Sequence, residues 1–435
     1  MGRDGQDRGG GDGRGKQVIV VGAGAAGLAC AADLLASGAG VSLLEAAEAV
    51  GGRMRTDRVS GFVLDRGFQV FNTSYPQVKR RIALRPLRLR PFTPGVLVHT
   101  GGGRLCRFTD PTRRPGESRD LLPGRLASAR DLTSLGVLAA RDALLAPRRL
   151  RARPERTTLT ALADAGFSAD LVESFFRPFL SGVFLEDELE TSSRFFHFVW
   201  RSMLRGTLCL PAEGIGAVPA QLADGLPAGV LSRGTPVARL AEDGDGVVLA
   251  DGTRRRADAV VVATGQSAAA GLLPGLAVPA GRTVTTLYHA APRSPLHEPT
   301  LLVDTRRRFL NTCVLSEVHS GYAPDGRALI STSVLGTPGS AEEAAVRAAL
   351  AEAYDTDTDA WESVHRCTVR DALPAMPPPL PLTRTTRFGP GRYVCGDHRA
   401  TGSLQGALAS GARAAREVLA DLGATGRPRR APARP

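Results

Sequence analysis

The chain has 435 residues, of which 43% are hydrophobic and only 5% are aromatic. No apolar run approaches the roughly 20 residues of a membrane-spanning helix, and the six cysteines form no CxxC pair, so neither a membrane span, a disulfide framework nor a zinc site is indicated. The net charge of +12 comes from arginine, since Lys16 and Lys79 are the only lysines. The basic segments contain no interleaved aromatic residues and no nucleic-acid-binding motif, which argues against nucleic acid as a partner.

Both ends of the chain are predicted to be disordered tails. Residues 1–16 are rich in glycine and charge and lack the apolar segment of a signal peptide, and residues 424–435 are rich in arginine and proline. The scattered cysteines fit a reducing compartment. We therefore expect a cytoplasmic protein with at most a peripheral contact to a membrane.

A strand–turn–helix–strand pattern begins directly after the first tail. The apolar run Val18–Val21 predicts a buried parallel strand, which ends in a G-x-G-x-x-G turn. Alanine and leucine at helical spacing follow to about Ser37, and a second strand, Val41–Leu44, ends on Glu45. Glu45 lies about 18 residues past the last glycine, where an acid accepts hydrogen bonds from a ribose hydroxyl and argues against a 2′-phosphate.

The residues of the turn have separate mechanical tasks. Gly22 permits the tight bend, Gly24 lets the backbone approach a pyrophosphate, and Gly27 lets the helix pack closely on the strand. Ala25 and Ala26 begin a helix whose free N–H groups and positive dipole end favour phosphate. The alternative is a glycine-rich turn without a ligand.

A second glycine pair gives the pattern its family character. Gly51-Gly52-Arg53 and then Thr56 follow the second strand, so that the segment from Gly22 to Thr56 resembles the superfamily of flavin amine oxidases, phytoene desaturases and protoporphyrinogen oxidases. The resemblance implies bound FAD, with Gly52 and Arg53 at its pyrophosphate. The alternative for Arg53 is an ordinary surface arginine.

The next family segment is an acid-x-Gly stretch. It implies that Gly67, Phe68 and Gln69 run back towards the isoalloxazine ring, although Gly67 could also serve only a β-turn.

The middle of the chain changes character. Gly95–His99 and Arg104–Phe108 predict a hairpin, and residues 118–146 and 159–205 predict helices. The second helical stretch is the most aromatic part of the chain, since it holds nine of its 22 aromatic residues. They form either the lining of an apolar substrate tunnel or the core of a helical domain.

The chain then returns to the first unit. Leu210–Gly216 resembles a superfamily segment at which the chain re-enters the flavin domain, a helix is predicted at Val218–Ala223, and Ala259–Ala263 predicts the apolar strand that closes the unit. Between them, the resemblance implies that the backbone of Val237 meets the adenine.

A sheet for the substrate is predicted next. Its strands are expected at Val284–Ala290, Thr300–Val303, Phe309–Ser316, Ala328–Val334 and Ser363–Val369, with a helix at Ala341–Tyr354. Asp371–Pro374 resembles an A-L-P segment that lies near the flavin in relatives.

The closing motif is the second cofactor signature. Gly396, Asp397 and then a glycine-rich helix start resemble the last motif of the superfamily, with the helix running to about Leu422. The resemblance implies that Asp397 binds the ribityl chain and that the helix N-terminus lies near the flavin N1/O2 edge. The residues assigned to that helix start are Gly402, Ser403, Leu404 and Gln405.

The resemblance covers nearly the whole chain and implies an α/β fold. A Rossmann-type FAD-binding domain with a parallel sheet is expected to be interleaved with an α+β substrate-binding domain. The predicted FAD-binding parts are 17–78, 211–265 and 382–423, and the substrate-binding parts are 79–210 and 266–381.

The predicted function is an FAD-dependent oxidoreductase of the desaturase or dehydrogenase kind, acting on an apolar small molecule with an unidentified electron acceptor. Amine oxidases of the superfamily keep a lysine at flavin N5, and neither lysine of this chain lies in the substrate sheet. An oxygen-using amine oxidase, an isomerase and a non-catalytic FAD-binding protein remain alternatives.

No catalytic residue or metal ligand can be assigned. His289 and His398 are the candidate acid–base groups, with a packed histidine as the alternative for each. The neighbours of Cys367 do not match a covalent flavin attachment site, which favours non-covalent FAD.

Overall fold

A computed structural model of the protein describes residues 15–110, 113–117, 126–242 and 244–423. Most of the predicted N-terminal tail, the whole C-terminal tail and the first residues of the helix predicted from residue 118 lie outside this part of the chain.

The strands fall into two large and three small sheets. In chain order they are β1 (Gln17–Val21), β2 (Gly40–Leu44), β3 (Thr56–Val59), β4 (Phe62–Asp65), β5 (Phe71–Asn72), β6 (Arg90–Pro91), β7 (Val96–His99), β8 (Leu105–Phe108), β9 (Leu208–Leu210), β10 (Leu231–Ser232), β11 (Val237–Leu240), β12 (Gly246–Leu249), β13 (Arg254–Arg256), β14 (Ala259–Val262), β15 (Gly281–Ala291), β16 (Leu301–Asp304), β17 (Asn311–Val314), β18 (Ala328–Leu335), β19 (Glu362–Pro374), β20 (Arg387–Gly389) and β21 (Arg392–Val394).

The helices range from single turns to five turns. They are α1 (Ala25–Ala36), α2 (Pro76–Arg81), α3 (Ala129–Leu144), α4 (Pro147–Arg151), α5 (Thr158–Asp164), α6 (Ala169–Leu171), α7 (Arg177–Phe184), α8 (Ser193–Arg205), α9 (Ala217–Asp224), α10 (Gln266–Leu272), α11 (Leu315–Val318), α12 (Ser340–Tyr354) and α13 (Leu404–Asp421). No described helix combines the length and the apolar character that crossing a bilayer requires.

The first large sheet is mostly parallel, in the order β10-β2-β1-β14-β21-β20. β1 lies at its centre, where Val20 pairs with Leu43 on one side and Val261 on the other. Its apolar strands are buried on both faces, as parallel strands covered by helices must be. The carboxyl ends of β1, β2 and β21 bring Gly22, Glu45 and Gly396 to one edge of the sheet.

Two helices cross closely beside this sheet. α1 packs against α13, and a Cβ at Gly411 would lie 2.1 Å from the carbonyl oxygen of Ala26, so only glycine permits this crossing. The crossing places the N-terminal end of α1 beside the middle of α13. The predicted α/β fold with a Rossmann-type parallel sheet is confirmed.

The second large sheet has the order β19-β15-β18-β17-β16-β7-β8. The predicted hairpin forms its far end as β7 and β8, where β7 pairs in parallel with β16. The strand predicted at Phe309–Ser316 is wrong at its C-terminal end, because β17 stops at Val314 and the chain turns into α11. Apolar composition alone does not distinguish these last buried residues from strand.

The aromatic segment is the core of a helical layer. Phe175, Phe176, Phe184, Phe195 and Phe196 are each at most 2% exposed and share one apolar cluster that reaches the second sheet. Of the two predicted roles, lining of a substrate tunnel or core of a helical domain, the core is therefore confirmed for these five side chains.

Candidate functional site

The turn after β1 requires glycine at two positions. Gly22 has φ +103°, and a Cβ there would meet the carbonyl oxygen of Ala263 at 3.0 Å. A Cβ at Gly27 would lie 1.9 Å from the carbonyl oxygen of Gly22, so α1 could not approach the strand. Both glycines serve the backbone itself, as their places in the motif predict.

Gly24 differs, because a Cβ there would meet nothing within 4 Å. It is the N-cap of α1 and supplies no side-chain cap. The backbone N–H groups of Ala26 and Gly27 have no acceptor among the described residues. Open space beside these two donors and a positive helix end suits a pyrophosphate.

Glu45 lies against this turn. Its Oε2 accepts a hydrogen bond from the backbone N–H of Ala23 at 2.7 Å, and its Oε1 accepts one from Ala47 at 3.0 Å. Each carboxylate oxygen keeps a further lone pair, which suits the predicted ribose contact. The backbone of Glu45 also accepts from the N–H of Thr235, two residues before Val237, so the segment predicted to meet the adenine begins beside the predicted ribose site.

The second glycine pair closes over the turn. Gly51 donates its N–H to the carbonyl oxygen of Ala23 at 2.9 Å and forms an isolated bridge with Gly24. A Cβ at Gly52, whose φ is +59°, would lie 3.7 Å from the Cα of Gly24. The glycines of both segments therefore line one space.

Arg53 joins the two sequence signatures. Its Nη2 donates to Asp397 Oδ1 at 2.6 Å, and its Nη1 donates to the carbonyl oxygen of Ala372 at 2.7 Å. The Asp397 side chain is 8% exposed, and its charge raises the pKa of the Arg53 guanidinium above its ordinary value. Both bonds that Asp397 accepts fall on Oδ1, which leaves Oδ2 without a partner among the described residues.

The segment 67–69 connects this pair to the second sheet. Gly67 has φ +81°, the N–H of Phe68 donates to Thr286 Oγ1 on β15 at 3.2 Å, and Gln69 Nε2 donates to the carbonyl oxygen of Arg53 at 2.8 Å. These three predicted residues thus lie between Arg53 and the strand expected to face the substrate.

The start of α13 offers a second open helix end. Ser403 Oγ caps it by accepting from Gly406 N at 3.1 Å, whereas the N–H groups of Leu404 and Gln405 have no acceptor in the described chain. The N–H of Gly402 donates to Met376 Sδ at 3.1 Å. The contacts with Met376 and Thr286 carried no sequence signal, since single residues of these types are common in any sheet or core.

Asp65 is a further residue that sequence reasoning missed. It is 5% exposed and accepts hydrogen bonds on Oδ1 from Thr56 Oγ1 at 2.6 Å and from Ile215 N at 2.9 Å, while Tyr288 OH donates to its carbonyl oxygen at 2.5 Å. Burial raises the pKa of its carboxyl to about 6. Asp65 therefore ties β4, the segment before α9 and β15 together.

The substitution Asp65→Asn is expected to change how stability depends on pH. The folded-state pKa of about 6 lies above the unfolded value of about 3.9, so the wild-type contribution is complete below about pH 4 and is lost as the pH rises through 6. The stability difference between the variant and the wild type should therefore shift in favour of the variant by about 2 kcal/mol between pH 4.5 and 7.5. Thermal melts of both proteins at the two pH values measure the shift.

Asp57→Asn is the matched control. Arg66 lowers the pKa of Asp57, so this carboxyl is ionised at both pH values, and the stability difference between Asp57→Asn and the wild type should change little between pH 4.5 and 7.5. A pH-independent difference for Asp65→Asn would contradict the buried-charge assignment.

The remaining titratable candidates do not form an acid–base centre. His289 lies on β15 beside Trp361, and burial lowers its pKa to about 4. Burial likewise lowers the pKa of His398 to about 4, and neither of its ring nitrogens has a partner among the described residues. Both rings are neutral at pH 7. No cluster of His, Cys, Asp or Glu within the described ranges could hold a metal ion.

Neither of the two lysines, and neither of two arginines on the second sheet that could replace their positive charge, is found among the site residues described above. Lys16 pairs with Asp258 at 3.2 Å, and Lys79 is exposed on α2. An arginine of the second sheet could supply a positive charge in place of a lysine, but Arg282 on β15 forms an ion pair with Glu190. Arg370 on β19 is exposed.

Comparison with known proteins identifies a family whose sequence model matches most of the chain. The sequence model described as flavin containing amine oxidoreductase matches residues 25–419. Over 78 residues the chain is 40% identical to the L-amino-acid oxidase of Crotalus adamanteus, a match that covers 18% of this chain and only 15% of that relative.

Solved structures share the fold over nearly the whole length. An oxidoreductase from Methanosarcina mazei superposes with a TM-score of 0.71 at 18% identity, covering 93% of this chain and 100% of that one. Cyclohexylamine oxidase from Brevibacterium oxydans IH-35A gives a TM-score of 0.68 at 19% identity, covering 94% and 100%. At these identities the likeness concerns the fold alone.

Proposed function

Because the chain belongs to the family of flavin-containing amine oxidoreductases, we propose that it is an FAD-dependent enzyme that removes a hydride from a C–H or C–N bond of an apolar small molecule. The observation that carries the proposal is the Arg53–Asp397 pair, at 2.6 Å. It joins two signatures that lie 344 residues apart, and each signature includes a helix N-terminus with backbone N–H groups that have no acceptor in the described chain. A flavin-dependent oxidoreductase is the coarser statement that the family already establishes.

The dinucleotide form of the flavin is supported by the chain's own residues. The space at Gly24 and the donors of α1 suit a pyrophosphate, and Glu45 suits a ribose that carries no 2′-phosphate. Asp397 Oδ2 is available to accept from a hydroxyl group. Bound FAD would supply the hydride acceptor, while Arg53 keeps a fixed positive charge and the dipole of α13 favours negative charge at its N-terminus.

An apolar substrate is supported by an open groove close in sequence to Asp371 and Ala372, whose carbonyl oxygens hold Arg53. This groove has a volume of about 360 Å³ and is lined by Pro279, Ala280, Ala375 and Pro377 together with the Arg282–Glu190 pair. The two charges of that pair neutralise one another, so the walls offer no free ionic anchor. Such a wall suits a molecule without an ionised group better than an amino acid.

Anaerobic reduction separates the proposal from its alternatives. The FAD-loaded protein is mixed without oxygen with apolar alcohols, alkenes and polyenes, with primary amines, and with L-amino acids, and loss of the absorbance near 450 nm is followed. Bleaching by an apolar compound supports the proposal, whereas bleaching only by amines or amino acids would favour an amine oxidase. Turnover of a compound without net bleaching would favour an isomerase, and no reaction with any class would favour a non-catalytic role.

FAD is expected to be bound without a covalent link. Cys367 is the cysteine nearest the expected attachment region, and burial raises its pKa, which keeps it as a poorly nucleophilic thiol. Acid precipitation of the purified protein should release yellow FAD into the supernatant. Colour that stays in the pellet would contradict this prediction.

Slow reaction of the reduced protein with dioxygen is also expected. A cation beside the reacting atoms stabilises the anion that forms as dioxygen takes up an electron, and neither lysine of this chain contacts the site residues. Reoxidation should be at least about tenfold slower than in amine oxidases that have the lysine, a barrier difference of about 1.4 kcal/mol. Stopped-flow mixing with air-saturated buffer measures the rate, and rapid reoxidation with stoichiometric peroxide would put the amine oxidase first.

We also propose a reducing compartment such as the cytoplasm. All six cysteines are free thiols, four of them buried. Because the reduced protein is expected to react slowly with oxygen, we propose a quinone or a redox protein as the electron acceptor.

A further inference from the structure

The outward face of α3 is unusually apolar for a surface helix. Apart from its first residue, the exposed positions are Arg130, Thr133, Gly136, Val137, Ala140 and Leu144. Only one of these six side chains is charged, whereas the solvent face of a helix in a globular protein is normally rich in charge. Exposure of this face to water is therefore unfavourable.

Two side chains stand out from it. Leu144 is 81% exposed and Val137 is 62% exposed, which are the highest values among the large hydrophobic side chains of the described residues. They are seven residues apart on one helix and so project in the same direction, two turns from one another.

Arginines without partners follow directly. Arg148, Arg149, Arg151 and Arg153 lie in or just after α4, and all four are exposed. None of them forms an ion pair or a side-chain hydrogen bond with a described residue. Their charges are therefore uncompensated within this part of the protein.

The same stretch presents no exposed acid. Of the three acidic residues between 126 and 156, Asp131 and Asp142 are at most 1% exposed, and Glu155 accepts hydrogen bonds from Ser192 Oγ and Leu380 N. Asp131 completes the capping box of α3, and Asp142 holds His197 at 2.8 Å. All three carboxylates are occupied by internal contacts.

The helix is also firmly held. Arg201 Nη1 donates to the carbonyl oxygens of Asp142, Ala143 and Leu145 at the C-terminus of α3, and the N-terminus is capped by Ser128. The apolar side chains are thus presented by a fixed helix and not by a frayed end.

We propose that the outward face of α3 and the arginines of 148–153, together the α3–α4 surface, dock on an anionic phospholipid membrane. Exposed leucine and valine enter the headgroup boundary, and the adjacent arginines pair with lipid phosphates and acidic headgroups. Nucleic acid fits less well, because it offers no apolar layer for Val137 and Leu144. A second copy of the chain fits less well, because the four unpaired arginines of one copy would be repelled by those of the other.

Vesicle sedimentation tests the proposal on the full-length, FAD-loaded protein. We expect binding to vesicles of phosphatidylcholine with 30% phosphatidylglycerol, and at least about tenfold weaker binding to pure phosphatidylcholine. Val137→Asp/Leu144→Asp should weaken binding to the anionic vesicles at least about tenfold, and Arg148→Glu/Arg149→Glu should do the same.

Lys79→Glu/Arg80→Glu on α2 is the matched control. It makes the same change in net charge at another exposed basic helix and should change binding less than twofold. A variant without residues 424–435 separates the contribution of the arginine-rich C-terminal sequence and should retain binding.

The outcomes that overturn the proposal are distinct. Equal loss in the α2 control would show that net charge alone attracts the vesicles, and loss only in the truncated variant would assign binding to the C-terminal sequence. Unchanged binding in Val137→Asp/Leu144→Asp, a shift of its oligomeric state in gel filtration, or tighter binding to an RNA oligonucleotide than to vesicles would each reject the lipid surface. Flavin absorbance and thermal melts of every variant verify that the fold is intact, and because vesicle binding needs no turnover, the result is independent of the proposed reaction.

Discussion

Replacing Gly24 with valine is expected to abolish FAD binding while leaving the protein folded. A Cβ at Gly24 meets nothing within 4 Å, and its φ of −75° is open to any residue, so the fold can accept the side chain. The added atoms would fill the space beside the free N–H groups of α1. Losing two charge-assisted hydrogen bonds of roughly 1.5–3 kcal/mol each corresponds to about a 10²- to 10⁴-fold weaker affinity.

Gly27→Val is the contrasting variant within the same motif. Its Cβ would lie 1.9 Å from the backbone oxygen of Gly22, so this substitution should lower the thermal stability of the FAD-free protein itself. Gly24→Val should melt within about one degree of the FAD-free wild type. FAD titration followed by fluorescence, with melts of the FAD-free proteins, measures both effects. Retention of FAD by Gly24→Val would place the pyrophosphate elsewhere.

Replacing Arg53 with methionine is expected to lower both the stability of the protein and its affinity for FAD, for an electrostatic reason. Asp397 is 8% exposed, and Arg53→Met leaves its carboxylate without a cationic partner. Breaking a buried pair costs about 3–5 kcal/mol, and the 35% exposure of Arg53 places this pair at the lower end. FAD affinity should fall as well, because the variant lacks the guanidinium that links Asp397 to the carbonyl oxygen of Ala372.

A double-mutant cycle isolates the pair. Asp397→Asn alone keeps an oxygen acceptor for Arg53, and the double variant Arg53→Met/Asp397→Asn removes the buried charge together with its partner. The double variant should therefore be more stable than Arg53→Met by about 1–3 kcal/mol. Urea unfolding of the FAD-free proteins measures this difference. Strict additivity would show that the two groups do not interact and would remove the observation on which the proposed function rests.

The sequence by itself determined the parts of the protein that are governed locally. The strand Val18–Val21, the helix that begins at Ala25 and the last helix from Leu404 all follow from apolar periodicity and from glycine placed where the backbone needs it. The strands of the second sheet were also predicted, except that β17 ends at Val314 and β19 continues past Val369 to Pro374. The role of these segments in holding FAD remains a prediction, because it was carried by resemblance.

Only the tertiary structure decided which distant groups meet. No local pattern pairs Arg53 with Asp397 or buries Asp65 against Tyr288, because such contacts depend on how two sheets pack and not on the spacing of neighbours along the chain. The aromatic helices show the same limit: phenylalanine lines a tunnel or fills a core with equal chemical ease, and burial of Phe175 and Phe196 settled the choice. Burial and long-range electrostatics are properties of the assembled chain, since each requires partners that the local sequence does not contain.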